Sequence, residues 1–92
     1  MEIIVETFRN PGEPSSNPIR VRPIPGQRFS QHFRVWCSVA VRESKTVGSI
    51  FRVNVSVVDQ PQGDSYLRIS PNEMWVPVTE DEAKDFIVGL AP

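Results

Sequence analysis

The chain has 92 residues, with 10 Lys and Arg against 11 Asp and Glu, and a single cysteine. That length suits one domain, 1–92, with a single core, and is too short for two. Balanced charge excludes a bulk field that would drive the whole protein onto nucleic acid or membrane, and the lone Cys37 excludes an intramolecular disulfide or a zinc site of several thiolates.

The charge is unevenly placed. Residues 9–59 carry eight basic and three acidic side chains, whereas 60–92 carry two basic and six acidic. Eight of the ten cations are arginine, the residue better suited to planar, bidentate contacts. The first residues, Met1-Glu-Ile-Ile-Val, lack the basic and long apolar regions of a secretory signal, and no run approaches the roughly 18 apolar residues of a membrane span. A soluble, cytoplasmic protein with no membrane partner is expected.

In chain order, residues 2–8 alternate loosely, with Ile3 and Val5 opposed to Glu2 and Glu6, which predicts a short edge strand whose acids discourage further pairing. Residues 9–30 hold five prolines and two glycines and read as a Pro-rich irregular segment. Within it Ile19 and Val21 alternate with Arg20 and Arg22, permitting a short extended piece along a sheet edge. Pro11 and Pro14 have the spacing of a polyproline ligand, but the flanking basic residues lack a ligand arrangement.

Residues 33–57 are the most regular part. Phe33, Val35, Cys37, Val39 and Val41 share one parity, as do Phe51, Val53, Val55 and Val57, which predicts an antiparallel hairpin closed by a loop over 43–47. Shared parity places the odd-numbered residues of both strands on a common core face. Gln60, Pro61 and Gly63 occupy positions that suit a type I turn, so a third strand over 65–70 is expected beside the second, with Leu67 opposite Val57 and Arg68 opposite Ser56.

Residues 74–78 suggest a short extended piece confined to an edge by Pro77. The one helix predicted spans 79–90. Thr79 and Glu82 have capping-box spacing, and Ala83, Phe86, Ile87 and Leu90 recur at helical period. The stripe is expected to dock on the apolar face of the sheet, so Phe86→Ala is expected to cost about 3 to 5 kcal/mol. The fold class expected is α+β: a mostly antiparallel, meander-type sheet of four to five strands with one C-terminal helix packed on its apolar face. A small β-sandwich or barrel with the helix as a plug is the alternative.

No catalytic or metal constellation is visible. His32 has no assigned carboxylate or thiol partner, Cys37 falls on the apolar face as a small hydrophobe, and the acids from Glu80 to Asp85 suit helix capping and solvation. No cofactor is expected, and the chain reads as non-enzymatic. The polar side of the predicted sheet is more distinctive, because Arg34, Trp36, Arg52, Asn54 and Arg68 would project from it together.

Two uses compete for that surface. Short edge strands and an exposed Trp75 favour protein interaction or self-assembly, with a homodimer or another protein as partner. Arginine interleaved with an aromatic on a sheet instead suits single-stranded nucleic acid, unless the Pro-rich segment or the N-terminal strand covers Trp36 and the arginines stack around it as structural cations. Protein interaction ranks first, nucleic acid second, and small-molecule binding third.

Overall fold

A computed structural model describes residues 1–9 and 19–90, Leu90 by its backbone alone; the Pro11 to Pro14 motif and the Leu90 side chain therefore lie outside the described residues. In chain order the elements are β1 (Glu2–Phe8), β2 (Arg20–Pro23), β3 (Val35–Trp36), α1 (Val39–Glu43), β4 (Ile50–Asn54), β5 (Ser56–Val58), β6 (Tyr66–Arg68), β7 (Val76–Pro77) and α2 (Glu80–Leu90). The strands divide into a four-stranded antiparallel sheet, β2-β1-β4-β7, and a three-stranded one, β3-β6-β5. The class is α+β, and no barrel closes among the described residues.

The N-terminal strand is central, not an edge. β1 pairs with β2 on one side and β4 on the other, and its acids meet arginines: Glu6 Oε1 accepts from Arg22 Nε at 2.6 Å, and Glu2 lies 3.4 Å from Arg52 Nε. Residues expected to repel a neighbour thus match one on each flank. Ile3 faces Val53 and Val5 faces Phe51 across the ladder, placing them in the main core with Leu67, Ile69 and Cys37. Ile4 points to the opposite side, yet is 0% exposed, so β1 is covered on both faces.

Where β2 ends, a side chain continues its role. Gln27 accepts from the Ile4 N–H at 2.7 Å and donates to the Ile4 carbonyl at 2.8 Å, so the amide satisfies both backbone groups of a buried residue. At the other end of β1, buried Thr7 clamps the loop before β4: its hydroxyl donates to the Thr46 carbonyl at 2.6 Å and accepts from the Ser49 N–H at 3.1 Å.

The long hairpin over 33–57 does not form. β4 takes β1 and β7 as partners, while the first run yields only the two residues of β3, parallel to β6, and then coils into α1. Alternation fixes which face a strand buries but not which strand lies beside it, and β1 has the same parity as the expected partner. Helical bonding takes over after Ser38, whose carbonyl accepts from Arg42 N–H at 3.1 Å. Val39, expected in the core, is exposed, whereas Val41 packs against the core edge.

Several local expectations are met. Ser56 faces Arg68 and Val57 faces Leu67, but Val57, expected on the core face, is exposed. β2 and β7 occupy the two edges of the larger sheet. At α2, Glu82 N–H donates to Thr79 Oγ1 at 3.1 Å and Thr79 N–H donates to Glu82 Oε1 at 3.0 Å, a reciprocal capping box. The helix runs beside β4, with Ala83 buried. At Gly26, φ is +94° and a Cβ would lie 3.2 Å from Ile87 Cγ2, so glycine suits both the turn and its approach to the helix.

Phe86 is half-buried, which lowers its expected contribution. In urea denaturation, Phe86→Ala is expected to cost about 1.5 to 2.5 kcal/mol, roughly half the loss for a fully buried ring, and Leu67→Ala about 3 to 5 kcal/mol. Equal losses at the two positions would contradict the packing described.

Candidate functional site: an arginine and aromatic cleft

Departure of residues 33–43 from the larger sheet opens a cleft of about 580 Å³ beside the ends of β1 and β2. Its walls come from several separate stretches of the chain. Phe8 closes β1, and Arg20 and Arg22 project from β2; register sets Arg20 opposite Phe8 and Arg22 opposite Glu6. The turn before β3 brings His32 and Phe33, the segment through β3 brings Arg34 and Trp36, α1 brings Arg42, and Gln60 and Tyr66 complete the rim.

Two features distinguish this lining. It contains Arg20, Arg22, Arg34 and Arg42 but no aspartate or glutamate among the described residues. It also contains Phe8, Phe33, Trp36 and Tyr66, so flat apolar surfaces alternate with guanidinium groups. The Arg22 guanidinium sits 4.1 Å from the centre of the Phe8 ring, and that of Arg68 sits 5.2 Å from Trp36, both within cation–π range.

The arginines differ in how they are held. Arg22 is paired with Glu6 at 2.6 Å, and Arg20 also has a partner. Arg34 and Arg42 form no ion pair among the described residues. The Arg42 Nε is shut off from solvent and has no hydrogen-bond partner, while the adjacent Glu43 is occupied in accepting the Ile19 N–H at 2.9 Å.

The surface group expected from the alternation is thereby split. Trp36 and Arg68 stand side by side on β3 and β6, with Arg34 in the neighbouring wall. Trp36 is 46% exposed, so it remains open to a ligand. Arg52 and Asn54 lie on β4 in the other sheet, where Arg52 is near Glu2 and Asn54 Oδ1 accepts from the Met1 α-amino group.

Trp75 is not exposed. At 8% exposure it belongs to the core, edge-on to Phe51 with ring centres 5.5 Å apart and Lys45 above both rings. Its burial removes the aromatic contact expected beside β7. His32 lies in a turn lining the cleft instead of at the head of a long strand. Phe8, Arg20, Arg22 and Tyr66 carry no sequence signal that groups them with Trp36; the local traces are the alternation of Arg20 and Arg22 with Ile19 and Val21 and the parity that Arg42 shares with Arg34 and Trp36.

Among the described residues no three His, Cys, Asp or Glu side chains come together in a form that holds a metal ion. No described helix is long and apolar enough to cross a membrane. Comparison with protein-family models, with curated proteins and with solved structures finds no match in any of the three.

Cys37 follows β3 and is buried. Burial pushes its thiol above the ordinary range, and the Arg42 guanidinium opposes that shift. A raised thiol pKa means the native state holds the proton more tightly than the unfolded chain, so its contribution to stability is complete below the unfolded thiol pKa and falls as pH rises through the native one. At pH 8, Cys37 in the native protein is expected to react with a disulfide reagent at least about tenfold more slowly than in the urea-unfolded chain. Equal rates in absorbance-monitored labelling would contradict a buried, protonated thiol.

Proposed function

We propose that this protein binds single-stranded nucleic acid along the Trp36 surface, with bases stacking on the indole and backbone phosphates meeting Arg34 and Arg68. The observation that carries the reading is the joining of an exposed tryptophan to an arginine-rich cleft without an acidic lining among the described residues. Base–aromatic stacking supplies affinity without demanding a sequence, and guanidinium groups recognise phosphate through paired N–H donors. The small sheet holds Trp36 and Arg68 on adjacent strands. A local excess of arginine suffices for this role even though the chain as a whole is nearly neutral.

Self-association through sheet edges is the second reading. What supports it is the edge position of β7 among the described strands and the exposed Val57 on β5. Burial of Trp75 and the central position of β1 remove two features that favoured it. Light scattering after size exclusion separates the two readings by subunit count.

Fluorescence anisotropy with a labelled oligothymidylate is expected to show saturable binding that weakens as salt rises. Trp36→Ala is expected to reduce affinity about tenfold, and Arg68→Ala to reduce the slope of log K against log salt by about 0.7, the value for one phosphate contact on a single strand. Binding unchanged by Trp36→Ala, or equal binding of a duplex of the same length, would refute the stacking role.

A further inference from the structure

We propose that the cleft behind Trp36 is a subsite for a terminal phosphate monoester, with Arg34 and Arg42 as its anchors, so that the protein recognises phosphorylated ends of single strands. The proposal rests on the single-strand reading and deepens it.

The charges of the lining point to this ligand. Glu6 occupies Arg22, and Arg20 has a partner, which leaves Arg34 and Arg42 as two cations with no ion pair among the described residues. Both line the same cleft, and no described aspartate or glutamate joins them there. A phosphodiester within a strand carries one negative charge. A phosphate monoester carries about −1.5 to −2 at pH 7 and offers three acceptor oxygens, which matches two guanidinium groups.

Arg42 supplies a second observation. Its Nε is withdrawn from solvent and unbonded, and the residue is half-buried at the end of α1. Only the Nε is so withdrawn, and the half-buried setting of the residue strengthens the attraction of its guanidinium to an incoming anion relative to bulk water. The nearest carboxylate in sequence, that of Glu43, is committed to the Ile19 N–H. An anion entering the cleft meets a guanidinium that no described carboxylate pairs with.

The geometry also separates the end of a strand from its middle. Trp36 is exposed, while Arg42, on α1, is half-buried and near enough to buried Cys37 for the thiol to sense its charge. A terminal phosphate can enter while its own base stacks at Trp36. An internal phosphate carries a sugar on each side and enters such a recess less readily.

The test compares three labelled oligothymidylates of about twelve nucleotides, carrying a 5′-phosphate, a 3′-phosphate or hydroxyls at both ends. One phosphorylated oligonucleotide is expected to bind about tenfold more tightly than the hydroxyl-ended one, and the end preferred reports the polarity of the strand. Arg42→Gln is expected to narrow that ratio to within about twofold, a readout in which any general loss of affinity cancels. In the unsubstituted protein, inorganic phosphate at constant ionic strength is expected to displace the phosphorylated oligonucleotide and leave the hydroxyl-ended one bound, which tests the subsite independently of how the variant folds. Equal affinity for all three oligonucleotides would overturn the subsite and leave the single-strand reading standing. Absence of binding by all three would overturn both.

Discussion

The ladder between β1 and β4 is the constraint on which the rest of the structure depends. Five residue pairs run from Glu2 opposite Asn54 to Glu6 opposite Ile50, and the odd-numbered positions place Ile3, Val5, Phe51 and Val53 in one core. Apolar burial supplies the stability of that core, while the cross-strand contacts of Glu2 with Arg52 and Glu6 with Arg22, partly exposed and individually weak, favour the register. Thr7 then fixes the loop that leads into β4. Because β1 occupies the flank of β4, residues 33–43 are released to form β3 and α1 elsewhere.

That release creates the cleft. β3 has two residues, and the adjacent Arg34 and Trp36 carbonyls accept from Leu67 and Ile69 N–H groups at 2.8 Å, so Trp36 is attached to the small sheet. The chain turns at once into α1, which returns Arg42 toward the ends of β1 and β2. A longer strand at this place would have carried residues 37–41 along the sheet and left no recess. The cleft is thus a product of a short strand, a short helix and the edge position of β2.

Contiguous signals were legible. The turn over 60–63 specified the pairing of Ser56 with Arg68 and Val57 with Leu67, and Thr79 with Glu82 marked the start of α2, because each signal is written within a few neighbouring residues. The partner of β4 was not legible, since 2–8 and 33–41 offer the same parity and only the summed packing decides between them. The burial of Trp75 is not legible for a related reason: its segment is too short to reveal a buried face, and its contact with Phe51 joins distant parts of the chain. Of the surface residues grouped from the sequence, Arg34, Trp36 and Arg68 come together while Arg52 and Asn54 sit on the other sheet. Arg42 shares the parity of Arg34 and Trp36, but its actual place depends on a helix inside a run that alternates like a strand.

The functional account joins one exposed indole, Trp36, to the arginine cleft and assigns the other, Trp75, to the core. A titration of the nitrogen-15-labelled protein with single-stranded oligonucleotide, followed through its two indole N–H signals, tests this division directly. The account predicts that the Trp36 signal shifts progressively to saturation while the Trp75 signal stays in place. Movement of Trp75 alone, or of neither signal at concentrations that saturate binding, would contradict it.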